Sequence, residues 1–255
     1  MSIQLRQIAL VAEFLKPMIE DLSYTLGVNP CFIDDGVGVW GLENTLLAIG
    51  HNFLEVVAPV KTNTAAGRYL ERRNGNGGYM VICQAGSHAE QLEVKERALA
   101  EGVRIAWERE SDHYHLMQLH PRDMTASFLE VDWDRHDDFD GNWEPAGGLA
   151  WEEKVDQSSI VDMVGVELQG PQPEALAQRW AQVLGRPMRD DLTVEINNAT
   201  LRFIEAVDGR GPGLSGVDLI VRDKPAILKR AKERRAYVSD TQLTICGFHF
   251  YLAPV

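Results

Sequence analysis

HNFLEVVAP at residues 51–59 and SFLEVDW at residues 127–133 share one tetrapeptide, Phe53-Leu54-Glu55-Val56 and Phe128-Leu129-Glu130-Val131, 75 residues apart. Upstream of the first copy, residues 5–12 (LRQIALVA) form a short apolar run of strand formers. Residues 17–26 then place Met18, Leu22 and Leu26 at helical spacing before Gly27 stops the helix. Strand-like segments follow at residues 32–33, 36–40, 45–49 and 53–57, divided by Gly and Asn turns. The same order returns upstream of the second copy: a strand at 79–84, a charged amphipathic helix at 89–100, and strands at 103–107, 115–119 and 127–132. The opening strands, at Gln7 and Tyr79, lie 72 residues apart, so the offset is nearly constant and predicts a duplicated unit. Because side chains alternate along a strand, Phe and Glu of each FLEV share one face and Leu and Val the other. Turning the apolar pair toward the packed helices points the carboxylate at a cavity.

A weaker echo follows. Residues 163–168, a helix at 173–184, and strands at 192–196 and 201–206 make a third unit, its last strand containing FIEA at 203–206. Residues 217–221, a basic helix at 225–235, and 242–252 make a shorter fourth. Between the pairs, residues 136–159 carry seven acids against one base. That imbalance predicts an exposed acidic linker dividing a domain at 1–135 from a domain at 160–255.

At 255 residues the chain is long enough for a sizeable core, and 45% hydrophobic with 25% charged residues is the balance of a globular protein. A net charge of −13 repels phosphate backbones and anionic lipid, which disfavours nucleic acid and membrane surfaces as partners. Cys31, Cys83 and Cys246 are too widely spaced for a Cys-x-x-Cys motif or a disulfide framework, so a reducing cytoplasm is the expected compartment. The N-terminus lacks a basic region before its apolar run, and no run approaches a membrane span, so neither a signal peptide nor a span is expected.

With LRQIALVAEFLKP, HNFLEVVAP, GGYMVIC, LHPRD and FLEVDW in view, the chain resembles the vicinal oxygen chelate superfamily, of the glyoxalase and bleomycin-resistance type. The resemblance implies an α+β fold of four βαβββ modules paired into two glyoxalase-like domains, with mixed curved sheets around a cleft and helices outside. Metal-dependent members take one ligand from the first and last strand of each of two modules, slots that fall here on Gln7, Glu55, Tyr79 and Glu130. Gln7, Glu55 and Glu130 are ligand types known in glyoxalase I, whereas Tyr79 replaces the usual His. Two carboxylates and an amide oxygen suit a divalent ion with open water positions. Such an ion would stabilise an enediolate while Glu55 and Glu130 move the proton. In the second pair of modules the first-strand slots fall near Met163 and Gly216, and the last strand (FHFYLAPV) has no carboxylate. Extradiol-dioxygenase chemistry therefore lacks its ligands.

Further candidates contact a substrate. His51 precedes the first FLEV, and His120 stands in the HPRD turn. Arg68, Arg72 and Arg73 are the densest positive charge of the first half, able to clamp a carboxylate or phosphate. NGNGG at 74–78 follows a helix and precedes a strand, the reverse of a dinucleotide fingerprint, so no nucleotide cofactor is expected. Two functions stay open: a lyase or isomerase acting on a small oxygenated metabolite, and a metal-free protein of the same fold that binds or sequesters a small molecule. The partner in both is a small molecule, and a homodimer is compatible with either.

Overall fold

A computed structural model describes residues 2–255. The first module runs β1 (Ile3–Val11), α1 (Leu15–Leu26), β2 (Pro30–Phe32), β3 (Leu42–Ile49) and β4 (Asn52–Pro59), followed by α2 (Ala65–Arg73). The second runs β5 (Gly77–Ala85), α3 (His88–Ala100), β6 (Ile105–Glu110), β7 (Tyr114–Leu119), α4 (Pro121–Met124) and β8 (Phe128–Asp134). Together they form one mixed eight-stranded sheet, ordered β2-β3-β4-β1-β5-β8-β7-β6. Residues 36–40, expected as a strand, are instead a 3-10 helix, Asp35–Trp40, whose first turn is capped by Asp34 accepting from the Gly36 N–H at 2.8 Å. Two glycines in five residues cost a strand both packing and entropy, which lets the cap decide.

The third module runs β9 (Ile160–Gly170), α5 (Pro173–Leu184), β10 (Thr193–Glu195) and β11 (Thr200–Glu205), and is one strand short. The fourth is complete: β12 (Gly213–Val221), α6 (Lys224–Glu233), β13 (Tyr237–Ser239), β14 (Gln242–Ile245) and β15 (Phe248–Pro254). These strands make a second mixed sheet, ordered β10-β11-β9-β12-β15-β14-β13.

The helix-facing sides of both sheets share one continuous apolar core, from Ile3, Leu54 and Val131 in the first to Trp180, Leu219 and Phe250 in the second. Contact between the halves is close. A Cβ on Gly78 would stand 2.4 Å from the Leu214 carbonyl oxygen, so only glycine lets β5 approach β12 there. Asn198 brackets Leu5, accepting from its N–H at 2.8 Å and donating to its carbonyl at 2.9 Å, beside a bulge in β1.

The other face of the first sheet is a trough. Laid flat, eight strands hold their edges about 34 Å apart. Trp40, in the 3-10 helix beside β3, nevertheless meets Trp107 of the far edge strand β6 edge to face, with ring centroids 5.9 Å apart. The sheet therefore bends until its rims touch, although β2 and β6 form no ladder with each other among the described residues. No helix among those residues is long and apolar enough to cross a membrane.

Candidate functional site

Leu54, Val56, Leu129 and Val131 point into the helix-side core, while Phe53 and Phe128 face the trough. Glu55 and Glu130 stand on that same trough face, both buried. Strand pairing shows which positions of the two modules correspond. Gln7 is level with Phe53 and Ala9 with Glu55 on one side; Met80 is level with Phe128 and Ile82 with Glu130 on the other. The partner of Gln7 by this register is thus Met80, one residue beyond Tyr79. Tyr79 instead packs edge to face between Tyr69 of α2 and Phe128, with centroids 5.0 and 5.3 Å away.

Each carboxylate is held by amides. Glu55 accepts from Gln7 Nε2 at 2.8 Å through one oxygen and from Asn44 Nδ2 at 2.6 Å through the other. Glu130 accepts from Gln118 Nε2 at 2.6 Å and is hydrogen-bonded to Asp132, which also accepts from the Tyr114 hydroxyl at 2.5 Å. Burial pushes Glu55 above the usual carboxylate range against the pull of its two amide donors. Burial likewise pushes Glu130 up to about 7, opposed by its hydrogen bonds to Gln118 and Asp132 and reinforced by the Glu55 charge. Burial, and then the Glu130 charge, pushes Asp132 well above the usual carboxylate range as well.

This donor set does not fit the divalent ion that the resemblance implies. Gln7 turns its nitrogen toward Glu55, and its oxygen, the atom a metal would need, accepts from the Trp143 indole at 3.1 Å. Met80 offers a thioether where a fourth hard ligand would stand, and soft sulfur suits the expected ions poorly. Among the described residues no group of three or more His, Cys, Asp or Glu side chains is placed to hold a metal.

Trp143 belongs to the acidic stretch, which is not the exposed linker expected from its charge. Trp143, Ala146 and Trp151 are buried in the trough against Ala9, Ala48, Phe53 and Ile82, and Trp151 meets Phe53 edge to face at 5.1 Å. The buried Arg6 guanidinium donates to the carbonyls of Phe139 and Gly141, and Gln4 adds a bond to Phe139 at 2.8 Å. Apolar side chains thus tuck the segment in while its acids face water.

The remaining predicted residues scatter. His51 bonds the Asp140 carbonyl at 2.8 Å through Nδ1, so it fastens the acidic segment to the rim. His120 caps α4, its Nδ1 accepting from the Arg122 N–H at 3.2 Å. Arg68 is exposed and donates to the Asn63 carbonyl at 2.5 Å. Arg73 is buried and reaches the loop between β11 and β12. Sequence reasoning missed Asn44, Gln118, Asp132 and Trp143; of these, Asp132 was detectable, since it lies two residues beyond Glu130 on the same strand face. It also missed a polar cluster on the second sheet, where Arg202 pairs with Glu167 and Asp218 and the Tyr251 hydroxyl donates to Glu167 at 3.0 Å.

Fold and site together define a four-module protein of the glyoxalase-like, vicinal oxygen chelate fold. One solved structure, matched over most of the chain, agrees on the fold. A triple-substituted variant of 4-hydroxymandelate synthase from Streptomyces coelicolor is similar over 91% of this chain and 75% of its own, at 14% identity and a TM-score of 0.66. Methylmalonyl-CoA epimerase from Mycobacterium tuberculosis covers 51% of this chain and 87% of its own, at 19% identity and a TM-score of 0.44. A hypothetical protein from Bacillus halodurans covers 53% of this chain and 96% of its own, at 17% identity and a TM-score of 0.45. No family model and no curated protein matches the sequence. At these identities the likeness is one of fold.

Proposed function

We propose that the chain is a metal-free small-molecule-binding protein of this fold, taking a small oxygenated metabolite, and not a divalent-metal lyase or isomerase. The observation that carries this reading is the closed amide network: both Glu55 oxygens are occupied by Gln7 and Asn44, and the Gln7 oxygen by Trp143. A carboxylate satisfied by neutral donors gains little from a cation that must first displace them. Elemental analysis of full chain purified without chelator is expected to give substoichiometric metal, unchanged in Glu55→Gln and Glu130→Gln. A thermal-shift screen of small hydroxy and oxo acids is expected to find stabilisation that survives EDTA. Stoichiometric manganese, nickel or zinc that is lost on Glu55→Gln, or stabilisation that EDTA abolishes, overturns the proposal.

One observation favours a second reading, proton transfer without a metal. The Glu130 carboxyl, pushed up to about 7 by burial beside the buried Asp132, is poised near neutrality as a general acid and base requires. Turnover of a carbonyl substrate in EDTA, lost in Glu130→Gln while binding persists, separates this reading from simple sequestration.

A further inference from the structure

A second concavity lies outside the trough. Between α2, the α4 turn and the loop joining β11 to β12 is a cavity of about 240 Å³, walled by Tyr69, Arg72, Arg73, Arg122, Arg210 and Pro212. Four of its lining residues are arginines, in a chain whose net charge is −13. Among the described residues none of these four forms an ion pair with a carboxylate, although Arg97, Arg104, Arg179, Arg189, Arg202 and Arg234 all do. Gathering four cations costs Coulomb energy, and the acid whose field reaches Arg73, Asp208, forms no ion pair with it.

Two of the four are fixed by backbone. Arg73 is 4% exposed and donates through one terminal nitrogen to the carbonyls of Arg210, Gly211 and Pro212 at 2.7, 2.7 and 2.6 Å. Its Nε–H is also buried and has no partner. Arg210 returns a bond to the Arg73 carbonyl at 3.0 Å, reaches Gly247 at 2.7 Å, and donates to the carbonyls of Gly75 and Asn76. Carbonyl dipoles, and no carboxylate hydrogen bond, hold these side chains in place. The carboxylate whose field reaches Arg73, Asp208, is exposed and already accepts from the Arg210 N–H at 2.9 Å and from Gln169 at 2.8 Å. Arg72 and Arg122 are exposed, Arg72 lying over the Tyr69 ring at 5.3 Å.

We propose that this cavity is an anion site for a phosphoryl group, free or carried on a small ester, with Arg73 and Arg210 as its fixed floor and Arg72 and Arg122 closing from the mouth. A phosphoryl group packs two negative charges and three terminal oxygens into one compact tetrahedron. It therefore offsets a cluster of four arginines better than a planar carboxylate with one charge and two oxygens. The volume admits the phosphoryl group with a short carbon skeleton. None of Gln7, Glu55 and Glu130 lines this cavity, so this proposal and the metal-free reading of the trough fail separately.

The test is calorimetric titration of the full chain in phosphate-free buffer of low ionic strength, where screening is weak. Inorganic phosphate, glycerol 3-phosphate and succinate are the probes. One of the phosphoryl probes is expected to bind at one site per chain with Kd below about 1 mM, and the tighter of the two tells a free ion from an ester. The double variant Arg72→Ala/Arg122→Ala alters exposed side chains only, and its unliganded melting temperature checks the fold. It is expected to weaken binding about tenfold or more. Arg68→Ala, on the same helix but outside the cavity, is expected to leave affinity unchanged. Absence of saturable binding, succinate binding as tightly as the phosphoryl probes, or equal losses in Arg68→Ala and the double variant overturns the proposal.

Discussion

The indole N–H of Trp143 meets the amide oxygen of Gln7 at 3.1 Å across 136 residues of chain. That bond joins the acidic segment to the first strand of the first module and fixes which way the Gln7 amide faces. Removing the ring should release both. Trp143→Ala is expected to cost about 3–5 kcal/mol, the range for emptying a buried aromatic site, read as a drop in urea midpoint. Limited proteolysis should then cut within residues 135–159 much faster than in the wild type. We propose that these residues are also the boundary between the two domains, so wild-type cleavage is expected at their exposed ends, away from Trp143 and Trp151.

Glu130 gives stability a pH dependence of definite sign. Its folded pKa, about 7, lies above the unfolded value, so the folded form holds the proton more tightly. The contribution is complete below about pH 4 and is lost as pH rises through 7. Urea midpoints of the wild type should therefore fall between pH 5 and 7, and Glu130→Gln should flatten that slope. A steeper slope in the variant would refute the assignment.

Asn44 is the neutral donor that lets Glu55 stay buried. Asn44→Asp places a second carboxyl where the amide donated at 2.6 Å. At neutral pH the variant is expected to lose about 3 kcal/mol or more, the scale for an uncompensated buried charge, and to recover in mild acid as one carboxyl takes up a proton. Thermal melts at pH 5 and pH 8 check both statements.

Gly78→Ala tests the docking of the two sheets. Its Cβ would meet backbone, the Leu214 carbonyl oxygen at 2.4 Å, and backbone cannot rotate away as a side chain can. A loss of about 1–3 kcal/mol or more is expected, measured by chemical denaturation.

The module repeat was legible because FLEV carries its own geometry: alternation alone sends Leu and Val to the core and Glu to the trough. The Tyr79 slot was not, because Tyr79 is the residue that β5 leaves unpaired in its bulge, as Arg6 is in β1, and the position matching Gln7 is the next one, Met80. A bulge inserts one residue without any signature in composition. The acidic segment misled for another reason. Net charge reports the side that faces water, and averaging over 24 residues hid the two tryptophans, Trp143 and Trp151, that face inward. Asn44 and Gln118 escaped notice because an amide on a strand looks like any polar surface residue until the carboxylate opposite it is known. The arginine-lined cavity assembles Arg73, Arg122 and Arg210 from three distant stretches, and only Arg73 and its helix neighbours stood together in sequence.

The short strands at the sheet margins bear on how the protein behaves at high concentration. β2, β10 and β13, three of the four edges, are three residues long, so each offers a passing chain too few free N–H and C=O groups to start a ladder. The fourth edge, β6, is longer but carries Glu108, Arg109 and Glu110, with Lys95 tied to Glu108 beside it. Strand addition is thus blocked by brevity on three sides and by charge on the fourth. In the third module the outermost strand is reduced to a single bridge, Met188 to Val194, which covers part of β10 and shortens that margin further.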